Sequence, residues 1–199
     1  MSIRAAMQSR MRLIDGSEGM PDNHLTIINA LQQKRGKRNL TEAEIIARPI
    51  QLFGNQLTMY WTKIRDEDLR LIAQQINEKG GPLLGGHVTE NTPQGSLYLA
   101  EVLQGEQPGE LVLNVWVYWA NDEPGQKMAN DIDIGVINEA SICYFYDRAI
   151  CSITGSDYWM SPYYAGQEYE VYDEATDTTT MKLCFLWTVD NVQFSEASL

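Results

Sequence analysis

Hydrophobic positions along the chain change their period near residue 80. Before it they recur mostly at helical spacing. Ile3, Ala6, Met7, Met11 and Ile14 are spaced as on one helix face, and Gly16 ends the pattern. Residues 15–22 read as a loop. Asn23 is placed to cap a second helix, with Leu25, Ile28 and Leu31 on one face and Gly36 beyond its end. Thr41 and Glu44 have capping-box spacing and predict a short helix before Pro49. Residues 57–61 (LTMYW) predict a short strand. Asp66 then caps a longer helix with Leu69, Ile72, Ala73 and Ile76 in register, closed by Gly80 and Gly81.

Beyond residue 82 the pattern is that of strands. They are predicted over 96–103, 110–119, 131–136, 140–147, 167–172 and 181–189, with 173–179 as a polar hairpin tip. In 110–119, Leu111, Leu113, Val115, Val117 and Trp119 share one face. Short strands without regular βα alternation argue against a doubly wound sheet. They predict an α+β fold, mostly β: a barrel or folded sheet with flanking helices and an N-terminal helical arm.

Length and composition sharpen this. The 199 residues suit one domain with an appendage. No apolar run approaches the ~20 residues of a membrane span, and the N-terminus lacks the apolar stretch of a secretory signal. Three cysteines do not make a disulfide scaffold, and a reducing setting is expected. The net charge of -12 is uneven. Residues 1–38 carry seven basic against three acidic residues, and 39–199 carry eight against twenty-four. The division predicts an arm over 1–38, with a docking or targeting role, and a main domain over 39–199. A chain begun near residue 39 is then expected to fold. The acidic body argues against a nucleic-acid partner, which needs cationic surface. Lys34, Arg35, Lys37 and Arg38 could touch nucleic acid or an acidic partner, but the plainer reading is a solvated helix end and linker.

Candidate chemistry is sparse. There is no phosphate-binding glycine motif and no H-E-x-x-H. Cys143, Cys151 and Cys184 lack C-x-x-C pairing, so a zinc site would have to collect scattered groups; the plain reading is buried small hydrophobes. Only two histidines exist, His24 and His87. A histidine-based hydrolase must use one of them. His24 lies on the arm's predicted helix, so His87 is the candidate. Ser141 starts a strand, on one face with Cys143 and Phe145, while Ile142, Tyr144 and Tyr146 take the other. By composition it is an ordinary strand serine. Glu196 follows an apolar strand near the end of the sequence.

Three segments together resemble a known family, the prohead (capsid-maturation) serine proteases of tailed bacteriophages, related in fold to herpesvirus assemblins. They are PLLGGH (82–87), EASICYFY (139–146) and FSEASL (194–199), with 54 residues from His87 to Ser141 and 55 from Ser141 to Glu196. ARPI (47–50), a strand and the 66–78 helix are similar to the family's opening, so the resemblance spans about residues 44–199. It implies an assemblin-like barrel and a serine endopeptidase with a triad of Ser141, His87 and Glu196. It implies no cofactor and no metal. The implied substrates are the scaffold and major capsid proteins, and the protease itself, cut inside the assembling procapsid in the host cytoplasm, with self-association and no membrane partner. A non-catalytic capsid or scaffold-assembly protein of the same fold is the alternative.

The chain departs from the family in three places. Cys143 stands where relatives often have glycine. CSITG (151–155) has Thr154 where a CSICG-like run has its second cysteine. The usual continuation after the last segment is absent beyond Leu199. The last departure leads us to expect a truncated or self-processed form whose Glu196, close to a fraying end, orients His87 weakly.

Overall fold

A computed structural model describes residues 3–10, 20–87 and 92–199. The elements in chain order are β1 (Ile3–Arg10), α1 (His24–Lys34), β2 (Ile45–Gly54), β3 (Thr62–Ile64), α2 (Asp66–Lys79), β4 (Gly81–Leu84), β5 (Gly95–Gln104) and β6 (Leu111–Ala120). They are followed by α3 (Glu123–Asp133), β7 (Glu139–Tyr146), β8 (Arg148–Cys151), β9 (Glu168–Asp173), β10 (Thr178–Leu183), β11 (Leu186–Val189) and β12 (Gln193–Ser198). The fold is α+β and mostly β.

Seven strands form one sheet in the order β1-β7-β12-β4-β5-β6-β2. It curls into a half-barrel, bringing β2 back against β7 and β1. The inner strand positions supply one continuous core. Leu113, Val115, Val117 and Trp119 of β6 meet Ile142 and Tyr144 of β7 and Ala197 of β12. Helices α2 (Leu69, Ile72, Ala73, Ile76) and α3 (Ala129, Ile132) add their apolar faces. Residues 147–189, joined by β3, form a smaller unit, the sheet β3-β11-β8 and the hairpin β9–β10.

Four readings of the sequence are corrected. Residues 3–10 are not helical: they form β1, antiparallel to β7, with Gln8 opposite Ser141. Met11, Ile14 and Gly16 lie outside the described residues. The capping box at Thr41 and Glu44 forms, but only over a three-residue 3-10 turn, and Pro49 lies within β2. Edge position explains this, because β2 is the outer strand and its proline costs no ladder bond to a further neighbour. Residues 57–61 are a turn ending in Trp61 at φ +57, and the strand starts at Thr62. Residues 131–136, expected as a strand, instead carry the end of α3.

α1 seals the outer face of the sheet. Ile28 and Leu31 pack on Tyr98, Tyr118, Ile45 and Ala47. Its flanking cations bind neighbours, with Arg35 donating to the Lys79 carbonyl and Arg38 paired with Glu44. His24, at the first turn, is buried, 2.7 Å from the Tyr98 hydroxyl and edge-on to Trp116. Burial holds its pKa below the ordinary 6.5, partly opposed by Glu101. Between its folded pKa and 6.5 the unfolded chain therefore binds more protons, so stability falls as pH drops through that window. The expected result is that the melting temperature of the wild type falls more steeply from pH 7 to pH 5.5 than that of His24→Asn. Parallel melting curves would exclude His24 as the cause.

In the smaller unit, Cys151 and Cys184 are buried free thiols with sulfurs 3.8 Å apart. Burial alone would raise the Cys151 thiol, but hydrogen bonds from Ser161, Thr154 and Ile153 outweigh it and lower its pKa to about 7. Burial and the neighbouring Cys151 push Cys184 up to about 11.

Candidate active site

The candidate residues come from three strands, or their ends, that lie side by side. β12 runs between β7, antiparallel to it, and β4, parallel to it. Ser198 stands opposite both Ser141 and Leu84, so the start of β7, the end of β12 and the end of β4 meet at one end of the sheet.

On β7 the even-numbered residues Ala140, Ile142, Tyr144 and Tyr146 enter the core, which places Ser141 and Cys143 on the opposite face. β12 reaches that face through a bulge between Phe194 and Glu196. Phe194 pairs with Tyr144 and packs against the core, whereas Glu196, two residues on, pairs with Cys143. Regular alternation would put both on one side. The extra residue reverses the parity, so Glu196 and Ser198 share the face of Ser141 while Ala197 turns inward.

His87 arrives from β4 through Gly85 and Gly86. Gly86 has φ +69, a region that disfavours a side chain, and its amide donates to the Leu199 carbonyl at 3.3 Å. A Cβ on Gly85 would lie 2.4 Å from the Gln94 amide nitrogen. The two glycines thus let the chain turn tightly against β12 and segment 92–94.

The three candidates form a hydrogen-bonded line. His87 Nδ1 is 2.7 Å from Glu196 Oε1, and His87 Nε2 is 2.6 Å from Ser141 Oγ. An ionised carboxylate only accepts, so Nδ1 carries the proton and donates it to Glu196. Nε2 then has a free lone pair and accepts from the Ser141 hydroxyl. Glu196 is 2% exposed, while the His87 side chain is 26% exposed. The acid is sealed inside and the imidazole opens toward solvent.

Glu196 is well anchored. Its strand is flanked on both sides, and the Leu199 amide donates to the Leu84 carbonyl at 3.2 Å. Fraying, the reason for expecting a weakly held acid, does not apply to this strand.

One polar neighbour was not read from the sequence. Ser198 Oγ lies 3.4 Å from the same His87 Nε2 and is buried. Its signal was the two-residue spacing from Glu196, which puts both on one strand face. His24 is elsewhere, in the first turn of α1. Among the described residues no group of three or more His, Cys, Asp or Glu side chains is placed to hold a metal ion, and no helix is long and apolar enough to cross a membrane.

No protein-family model matches the chain, and no curated protein sequence does. Among solved structures, the chain is similar to the bacteriophage T4 capsid assembly protease, gp21. The TM-score is 0.48 at 10% sequence identity, over 100% of this chain and 98% of the other. This likeness carries no residue-by-residue correspondence.

Proposed function

We propose that the protein is a serine endopeptidase of a phage procapsid that cleaves scaffold and major capsid proteins, and itself, during head maturation. The observation that carries the catalytic part is the line Ser141–His87–Glu196, with both bonds at 2.6–2.7 Å. The substrates rest on the resemblance of segments 82–87, 139–146 and 194–199 to the prohead proteases.

The chemistry follows from the proton positions. Ser141 Oγ attacks the scissile carbonyl while Nε2 of His87 takes its proton. The imidazolium is stabilised by the buried Glu196 carboxylate at Nδ1. The proton on Nε2 then passes to the leaving amine, leaving an acyl group on Ser141. A water molecule, deprotonated by the same nitrogen, releases that group. No cofactor enters these steps.

A fluorophosphonate probe tests the reading, because it phosphonylates an activated serine and spares ordinary ones. The expected result is one adduct per chain, on the peptide containing Ser141, lost when the protein is unfolded first. A folded protein that takes no probe would overturn the proposal.

A further inference from the structure

The smaller unit holds two buried nucleophilic groups that the proposed mechanism does not use, Cys151 and Cys184. Cys151 is the last residue of β8, and Cys184 lies between β10 and β11. Backbone bonds fix the chain at both. The Ser152 amide donates to the Phe185 carbonyl at 2.9 Å, and the Phe185 amide donates to Ser152 Oγ at 2.9 Å. The Cys184 amide donates to the Gln167 carbonyl, and the Cys184 carbonyl accepts from the Gly166 amide, both at 2.8 Å. With the main chain held in this way, the two sulfurs stand 3.8 Å apart. A disulfide is about 2.05 Å long, so a side-chain movement of less than about 2 Å would join them.

The two sulfurs have different surroundings. Cys151 opens the turn 151–155, and its sulfur accepts from the Ile153 and Thr154 amides and from the Thr154 and Ser161 hydroxyls. Donors aimed at a sulfur favour the thiolate, which is the nucleophilic form. Cys184 is kept as the thiol by burial and by the sulfur beside it. Thr154, Gly155 and Ser156 of the covering turn are exposed, so only a thin layer separates Cys151 from solvent and a small oxidant.

We propose that Cys151 and Cys184 form a redox modification site, in which hydrogen peroxide oxidises Cys151 and Cys184 completes an intramolecular disulfide. The Cys151 thiolate attacks one peroxide oxygen, the O–O bond breaks, and the hydroxide that leaves takes up a proton as water. Cys151 is then a sulfenic acid. The Cys184 sulfur gives up its proton and attacks the Cys151 sulfur. The S–O bond breaks, and the departing hydroxide leaves as water with that proton. The two thiols lose two electrons, and the peroxide is reduced to two waters. The new bond closes residues 152–183 into a loop and staples the base of the β9–β10 hairpin, a two-stranded element with little stability of its own. A reducing setting returns both thiols, so this loop follows the redox state around it. The inference does not depend on the peptidase reading.

The test treats the full, reduced chain with a small excess of hydrogen peroxide at neutral pH. Intact mass is expected to fall by two hydrogens. Digestion without reductant should yield one linked pair of peptides, containing Cys151 and Cys184, and dithiothreitol should undo the link. Cys143, on β7 opposite Glu196, is the internal control. It is expected to react at least roughly tenfold more slowly than the pair. Cys184→Ser should form no link and should trap dimedone, a sulfenic-acid probe, on Cys151. Thermal melting identifies a variant that fails to fold, and the wild-type mass and link then decide alone. A wild type that keeps its thiols, links through Cys143, or carries Cys151 to the sulfinic acid without a link overturns the proposal. So does a folded Cys184→Ser whose Cys151 takes no dimedone.

Discussion

Ser141→Ala is expected to lower peptide hydrolysis on the order of 10⁶-fold, about 8 kcal/mol of lost transition-state stabilisation. The fold should survive. The change removes one oxygen from the strand and one hydrogen bond to His87, a net cost of roughly 0.5–1.5 kcal/mol. The core-facing neighbours Ala140 and Ile142 are untouched. The informative control is Ser198→Ala, because the Ser198 hydroxyl lies 3.4 Å from the same ring nitrogen. Ser198→Ala should still take the fluorophosphonate at Ser141, and Ser141→Ala should take none. Labelling in the opposite pattern would make Ser198 the nucleophile. Full hydrolysis by purified Ser141→Ala would remove the mechanism altogether.

The second large effect is expected at Glu196→Gln. Amide and carboxylate have the same size, so the packing of β12 is preserved. The chemistry is not. The carboxylate fixes the proton on Nδ1 and leaves Nε2 free to accept. A glutamine can donate to Nδ1, which moves the ring proton to Nε2 and removes the base. The loss expected from a wrong tautomer is roughly 10⁴-fold in kcat. Nitrogen-15 NMR of the histidines, assigned with His24→Asn, reads the tautomer directly. A Glu196→Gln protein of normal activity, or one with its proton still on Nδ1, would show that Glu196 does not orient His87.

The elements that position the site were legible where one face of a strand is buried and the other is not. β7 shows this best, since Ile142, Tyr144 and Tyr146 alternate with Ser141, Cys143 and Phe145. α2 was legible for the corresponding helical reason. Failures arose where tertiary contacts override local pattern. IRAAMQSR holds good helix formers, yet it becomes β1 because the edge of β7 offers it a ladder. DIDIGV alternates like a strand through Ile132, Ile134 and Val136, yet Ile132 sits in the last turn of a helix. The start of that helix was visible in Asp122 and Pro124, an N-cap and an early proline. The three candidate residues could be picked from their segments. Their approach to one another depends on the bulge before Glu196 and on the glycine turn at 85–86, which no periodicity encodes. The nearness of Ser198 to His87 appears only once the strands are placed side by side.

The position of β12 decides when the three candidate groups can meet. It is last in chain order but lies in the middle of the large sheet, between β7 and β4. Before it docks, the other six strands are two separate ribbons, β1-β7 and β4-β5-β6-β2, each with an open edge. Ser141 belongs to the first ribbon, His87 follows the outer strand of the second, and Glu196 is on the missing piece. Its pairing with β4 joins residues far apart in sequence, with Ala197 opposite Leu83, and such contacts are slow to form. A nascent or partly folded chain therefore holds all three groups but no hydrogen-bonded line between them. Closing the sheet and assembling the line Ser141–His87–Glu196 are the same event. On the proposed peptidase reading, a chain still being made would therefore not cut itself or its neighbours before β12 has docked.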